Sequence, residues 1–226
     1  MRRVDHMERR LHDMTLTIDA PETISTIKEN KGPGTIAFWF GVSNGKRKWH
    51  QQIDGCVSIV RYFERQNRHV IVVLDGITAR HGLAIDDHPD KVIENGIFQH
   101  LSGNERVSLV SLIGKDYTTK INVCKELDFF IAYEGTGAFV PLRVCRKPGI
   151  LHSNEVFTAL PGDYGGSVIM LRGDSDQADA KKLPDFRDYS VDPERVMKAL
   201  LDIDLPSVQS VDRALYHSQQ TIVERK

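Results

Sequence analysis

Apolar residues along this chain fall into short unbroken runs, at 36–42, 70–74, 107–113, 129–133, 150–151 and 167–171. Runs so short and so continuously apolar predict strands covered on both faces, which is the condition of a parallel sheet. Between the first two runs, residues 49–64 place Ile53, Cys56, Val57, Val60 and Phe63 at i, i+3, i+4, i+7 spacing and predict an amphipathic helix. Weaker helical periodicity follows, with Ile93, Ile97 and Leu101 in 91–101 and Ile121, Val123, Cys124 and Leu127 in 119–127. Strand and helix alternating in this way predict a doubly wound α/β sheet.

The same pattern sets the boundaries. Residues 1–34 read as a polar N-terminal extension, closed by the turn formers Asn30-Lys-Gly-Pro-Gly34, and the mostly parallel, Rossmann-like sheet occupies 35–171. From Arg172 to Lys182 the chain is charged and almost without apolar residues, so 172–191 reads as an exposed loop. Residues 192–226 read as C-terminal helices. One is opened by Asp192-Pro193 and carries Val196, Leu200 and Leu201; the other covers 211–223, with Leu215 and Ile222 inward.

Length and charge narrow the function. At 226 residues the chain holds one ordinary domain with extensions, and its net charge of −1 makes no electrostatic case for nucleic acid or an anionic membrane. Any phosphate chemistry must therefore be local. No apolar run approaches the roughly 20 residues that span a bilayer. The basic N-terminus runs into His12 and Asp13 rather than an apolar core, so a cytoplasmic protein is expected. Cys56, Cys124 and Cys145 are odd in number, widely spaced and set in apolar patterns, which predicts plain buried thiols.

Candidate chemistry gathers where predicted strands end, because turns after parallel strands share one rim of the sheet. The first turn is Ser43-Asn44-Gly45-Lys46-Arg47-Lys48, with three cations expected at the start of a helix, where they oppose its dipole unless an anion is present. The second is Gly114-Lys115, with Lys115 in reach of a phosphate or sugar and Thr118 as helix cap. The third is Glu134-Gly135-Thr136-Gly137: a strand ending on a carboxylate, then small residues opening a helix, a layout that suits a phosphate beside sugar hydroxyls. Asp75-Gly76 ends the second run, but no GxGxxG follows the first strand, so a standard dinucleotide site is excluded. Asp75-Gly-Ile-Thr78 matches part of an aspartyl-phosphatase loop, yet Val73 stands where the nucleophilic aspartate belongs. His152 could reach the rim. His81, His88, Asp86, Asp87 and Asp90 match no metal-ligand spacing and read as a solvated loop.

Taken in order, these turns resemble the nucleotide-sugar-binding half of GT-B glycosyltransferases, closest in layout to the heptosyltransferase-like enzymes. The residues that carry the resemblance are Arg47-Lys48-Trp49, Gly114-Lys115 with Thr118, Gly135-Thr136-Gly137 and Lys147-Pro148. It covers about residues 35–157. The family's aspartate falls on Gly135, leaving Glu134 as nearest carboxylate, and its histidine falls on Val140.

The resemblance implies a nucleotide-sugar donor as substrate, a glycan acceptor of lipopolysaccharide or capsule type, and no metal or other cofactor. In that scheme Arg47, Lys48 and Lys115 neutralise the leaving diphosphate, Asn44, Thr136 and Gly137 support the phosphate, and Glu134 holds a hydroxyl-rich part of the donor. One domain is half of such an enzyme, so a second domain or subunit is an expected partner. Two other classes stay open: a non-catalytic nucleotide- or sugar-binding module, and a phosphatase-like hydrolase centred on Asp75.

Overall fold

The computed structural model describes residues 22–156, 167–177, 182–203 and 205. Helix α1 (Glu22–Asn30) is followed by β1 (Thr35–Gly41), α2 (Gln52–Arg65), β2 (His69–Asp75), α3 (Asp90–Leu101), β3 (Val107–Ser111), α4 (Tyr117–Lys125) and β4 (Phe129–Tyr133). Then come α5 (Thr136–Ala138), a wide π-helical stretch (Phe139–Val144), β5 (Gly149–Asn154), β6 (Val168–Ser175), β7 (Tyr189–Ser190) and α6 (Pro193–Asp202). The strands form one sheet of order β3-β2-β1-β4-β5-β6-β7, parallel throughout except for the β6–β7 pair. This is the doubly wound, mostly parallel α/β sheet that the apolar runs predict.

Strand geometry explains why those runs are unbroken. Successive side chains point to opposite faces, and here both faces are covered. Ile36, Phe38 and Phe40 of β1 join Val70, Val72 and Leu74 of β2 in a core beneath α2, α3 and α6. Ala37 and Trp39 join Ile71 and Val73 in the opposite core, beneath α1, α4 and the π-helical stretch. That stretch has a local cause. Pro141 offers no N–H and its ring crowds the carbonyl four residues back, so the turn widens and the Cys145 N–H donates to Val140 O at 2.9 Å.

Two segments differ from expectation. The described part of the N-terminal extension is not a polar appendage, since α1 buries Ile24 and Ile27 in the second core. Its polar appearance comes from a helix only one face of which is covered. The described residues of 172–191 do not form an exposed loop: β6 runs on to Ser175, and Tyr189 of β7 is fully buried. Its charged residues obscure this because they lie on a strand at one side of the sheet and in the turns that fold over it. The helix at 193–202 forms as expected, capped by Asp192, whose carboxylate accepts the Glu194 N–H at 2.9 Å. The helix expected over 211–223 lies outside the described residues, as do residues 1–21.

Candidate functional site

The chain runs from β1 outward through β2 to β3, then returns to place β4 on the other side of β1. The carboxyl ends of β1 and β4 therefore mark the topological switch point, where in this architecture a crevice between diverging loops is the usual ligand position.

The β1 loop is held in place from several directions. Gln52 brackets Ser43, its Oε1 accepting the Ser43 N–H at 3.1 Å and its Nε2 donating to Ser43 O at 2.9 Å. Buried Asp90 ties two rim loops together by accepting N–H groups from Asn44 and from Ile77, each at 2.9 Å. The Asn44 amide donates to Pro89 O at 3.0 Å, so this candidate residue is engaged by the start of α3.

Three cations follow, but not at a helix N-terminus: α2 begins only at Gln52. They lie in a bend that leads into an isolated bridge between Trp49 and Tyr189, where the chain pairs with β7. The Lys48 N–H donates to Asp188 Oδ1 at 2.8 Å, the Tyr189 N–H donates to Lys48 O at 3.0 Å, and Lys46 sits 4.5 Å from the centre of the Phe186 ring. Between them Arg47 adopts a left-handed backbone with φ of 56°, a conformation that costs a non-glycine residue free energy. Its guanidinium is half-buried. Burial pulls its pKa down, while Tyr133, Tyr189, Asp185 and Glu134 act in the opposite sense. Those neighbours come from the end of β4, the turn after it and the chain leading into β7.

Glu134 is buried and accepts from Arg172 Nη1 at 2.7 Å. Arg172 reaches across from β6, and its Nη1 also lies 3.4 Å from Asn154 O. The turn that follows requires its glycines. Gly135 has φ of 131°, outside the range of ordinary side chains, and a Cβ on Gly137 would lie 2.5 Å from the Tyr133 ring. Thr136 alone of the turn is exposed, and its side chain hydrogen-bonds Tyr133, whose hydroxyl pKa burial nonetheless pushes up to about 12.

The remaining candidates lie elsewhere. Lys115 is exposed beyond β3, three strand spacings and so about 14 Å from the end of β4. Gly114 beside it has φ of 78°, and a Cβ there would lie 1.9 Å from Ile85 O, so its role is close packing of the β2 and β3 loops. The cap of α4 is Asp116, which accepts the Thr119 N–H at 2.9 Å, and not Thr118, which is already inside the helix.

Asp75 is buried 2.5 Å from the Nζ of fully buried Lys120, which also donates to Gly76 O, Ile77 O and Thr78 Oγ1. It closes the end of β2. Of the acidic and histidine loop, His88 Nδ1 lies 3.1 Å from Asp90 and His81 Nδ1 lies 3.3 Å from Asp116. No group of three or more His, Cys, Asp or Glu side chains among the described residues is arranged to hold a metal ion.

His152 is a core residue. Its ring lies 4.8 Å from that of Trp49, tilted by 54°, and its Nδ1 pairs with the Tyr189 hydroxyl at 2.7 Å. Burial lowers its pKa to about 3. The unfolded chain takes up a proton near pH 6.5 that the native ring refuses, so stability falls as pH drops below 6.5, by about 2 kcal/mol at pH 5. In His152→Gln this component is absent. Urea midpoints at pH 7.5 and pH 5 are expected to converge for the variant relative to wild type; equal differences at both pH values would contradict the assignment.

Arg172, Asp90, Lys120 and Tyr189 are the structural partners that sequence reading missed. Lys120 had a signal, a cation on the buried side of a weakly amphipathic helix; Arg172 had none, because its partner lies 38 residues away. An open depression lined by Glu64 and by Ser102 to Arg106 lies at the opposite, N-terminal edge of the sheet. No described helix is long and apolar enough to cross a membrane.

No protein-family model and no curated protein sequence matches the chain. Among solved structures it is similar to the ADP-heptose LPS heptosyltransferase II of E. coli, with a TM-score of 0.53 at 9% identity over 81% of this chain and 51% of that one. Weaker similarities are to a family 9 glycosyl transferase from Veillonella parvula (TM-score 0.48, 12% identity, 80% of this chain and 51% of that chain) and to the UDP-GlcNAc 2-epimerase of Methanocaldococcus jannaschii in complex with UDP-GlcNAc and UDP (0.46, 11%, 85% and 51%). The likeness is one of fold, and this chain spans about half the length of the heptosyltransferase. What the chain shares with the heptosyltransferase is the mostly parallel, Rossmann-like α/β sheet that the sequence predicts.

Proposed function

We propose that the chain binds a nucleotide-activated sugar in the crevice between β1 and β4 and serves as the donor-binding half of a glycosyl-transfer reaction. The observation that carries this reading is convergence. Arg172, from β6, holds Glu134 at the end of β4 next to the exposed residue Thr136, and half-buried Arg47, from the loop after β1, feels the charge of Glu134.

A guanidinium has several donors in a plane, so Arg172 can hold Glu134 and still turn an edge toward a diphosphate. In transfer, the bond from the anomeric carbon to the diphosphate oxygen breaks as an acceptor hydroxyl oxygen bonds to that carbon. Fixed cations at the crevice stabilise the charge that develops on the departing diphosphate. Lys48 and Lys115 contribute at most a more distant positive field, and Asn44 shapes the loop. The acceptor hydroxyl's proton goes to a base on a second domain or subunit, which also brings the acceptor, a glycan of polysaccharide or lipopolysaccharide type. A cytoplasmic setting, where activated sugars are made, fits this role.

A binding module without its own chemistry is favoured by one specific observation: Asp75, Glu134 and His152 are all buried and already paired, with Lys120, Arg172 and Tyr189. The same burial counts against Asp75 as a phosphatase nucleophile. Release of nucleoside diphosphate from a nucleotide sugar by the purified chain would separate transfer or hydrolysis from binding alone.

The site itself is tested by thermal shift against nucleoside diphosphates and nucleotide sugars. A ligand at a hundred times its Kd stabilises by about 2.7 kcal/mol, which raises Tm by on the order of 5 °C or more for a chain of this size. Thr136→Arg, a change at an exposed position, is expected to abolish the shift while leaving the unliganded Tm in place. No shift with any ligand, or the same shift in the variant, would overturn the site.

A further inference from the structure

Spacing in the sequence sets Cys124 and Cys145 apart and gives neither a reactive role; the fold brings them together. Cys124 lies in the last turn of α4, and Cys145 is the first residue after the π-helical stretch that packs against that helix. The Cys145 S–H donates to Ile121 O at 3.7 Å, one turn before Cys124 in the same helix. The Cys124 thiol in turn hydrogen-bonds the Cys145 sulfur. Lys147 Nζ donates to Lys125 O at 2.8 Å, so the chain is tethered to α4 immediately beyond the pair.

The environment of the two sulfurs is unequal. Cys124 is fully buried and Cys145 is partly exposed. The hydrogen bond from Cys124 draws the Cys145 thiol below its ordinary pKa, with Lys147 and Lys125 acting in the same direction against burial, while burial pushes Cys124 well up. One sulfur thus has access to solvent and thiolate character, and the other waits as a protonated thiol beside it. That is the division of labour between an attacking and a resolving cysteine.

We propose that Cys124 and Cys145 form a dithiol that a hydroperoxide oxidises to an intrachain disulfide. The Cys145 thiolate attacks the peroxide oxygen; the O–O bond breaks, water or an alcohol leaves with the electron pair and a proton, and Cys145 becomes a sulfenic acid. The Cys124 sulfur then displaces that hydroxyl as a second water, its own proton going to the leaving oxygen. Two thiols and one hydroperoxide give one disulfide and two molecules of water, or one of water and one of alcohol. The new bond would fasten α4 to the stretch that begins at the Glu134–Gly137 turn. The chemistry stands whether or not that turn binds a nucleotide sugar.

The full-length reduced protein is exposed to hydrogen peroxide, quenched, unfolded and titrated for thiols. The titre, three cysteines before treatment, is expected to fall to one, with the loss of two hydrogen atoms in the intact mass and, under non-reducing conditions, the absence of the tryptic peptides 121–125 and 144–146 as separate species. Reduction restores both peptides. Cys145→Ser, a change at the more exposed sulfur, is expected to keep both of its remaining thiols under the same exposure. Retention of all three thiols in the wild type, loss that maps to Cys56, covalent dimers in place of the intrachain link, or an equal loss in Cys145→Ser would each overturn the proposal.

Discussion

Replacing Lys120 by methionine is expected to destabilise the protein by about 3–5 kcal/mol, because it leaves a carboxylate buried without its counter-ion. Asp75 and Lys120 are both inaccessible, and the ammonium also serves three oxygens at the end of β2. The methionine fills the space and removes every one of those contacts. A pH series identifies the cause.

In the native protein burial, only partly offset by Lys120, lifts the Asp75 carboxyl to about 6 from an ordinary value of 3.8. Between those values the folded state holds more protons than the unfolded one, so this group's contribution to stability declines as pH rises. Without Lys120 the folded pKa moves higher still, and the window of decline extends upward. The deficit of Lys120→Met relative to wild type should therefore be larger at pH 8 than at pH 5, as read from urea midpoints. Lys120→Met with Asp75→Asn should recover part of it. A deficit independent of pH would mean that lost packing, and not the stranded charge, is the cause.

The second large effect concerns the crevice. Arg172→Met is expected to weaken binding of a nucleoside diphosphate by roughly ten- to a hundredfold, the equivalent of one or two charge-assisted hydrogen bonds. Glu134 would be left buried without its pair to Arg172. Arg172→Lys keeps the charge but not the planar fork, and is expected to recover only part of the loss. Calorimetric titration of the folded variants decides the matter. Unchanged affinity in Arg172→Met would show that the pair with Glu134 serves the architecture alone.

Both effects rest on contacts that differ in how far they can be read from sequence. The central strands were legible because β1, β2 and β4 are covered on both faces, which forces nearly every residue from Ile36 to Phe40 and from Val70 to Leu74 to be apolar. Rim loops were legible as turns, since glycines at 114, 135 and 137 sit where backbone angle or close packing admits nothing larger. Their partners were not. A carboxylate at the end of a strand looks the same whether its counter-ion is a ligand or a side chain arriving from another strand, and for Glu134 it is Arg172. His152 looked like a rim group because parity along a two- or three-residue apolar run does not say which face a side chain takes. Two-residue β7 offered no pattern at all, although Tyr189 fills the core beside Trp49 and His152.

The way Tyr189 and its neighbours fold back over the β1 loop bears on how the protein is made. Asp188 and Val191 hold Lys48 and Trp49 across 140 and 142 residues of chain. On a ribosome, β1 through β4 can pair as they emerge, because each new strand joins one already present. The loop that carries Arg47 must wait for a clasp translated about 140 residues later. Such distant closure is slow and comes late in folding. A nascent chain stalled before residue 188 would possess strands β1 to β6 and lack the clasp that fixes the loop carrying Arg47.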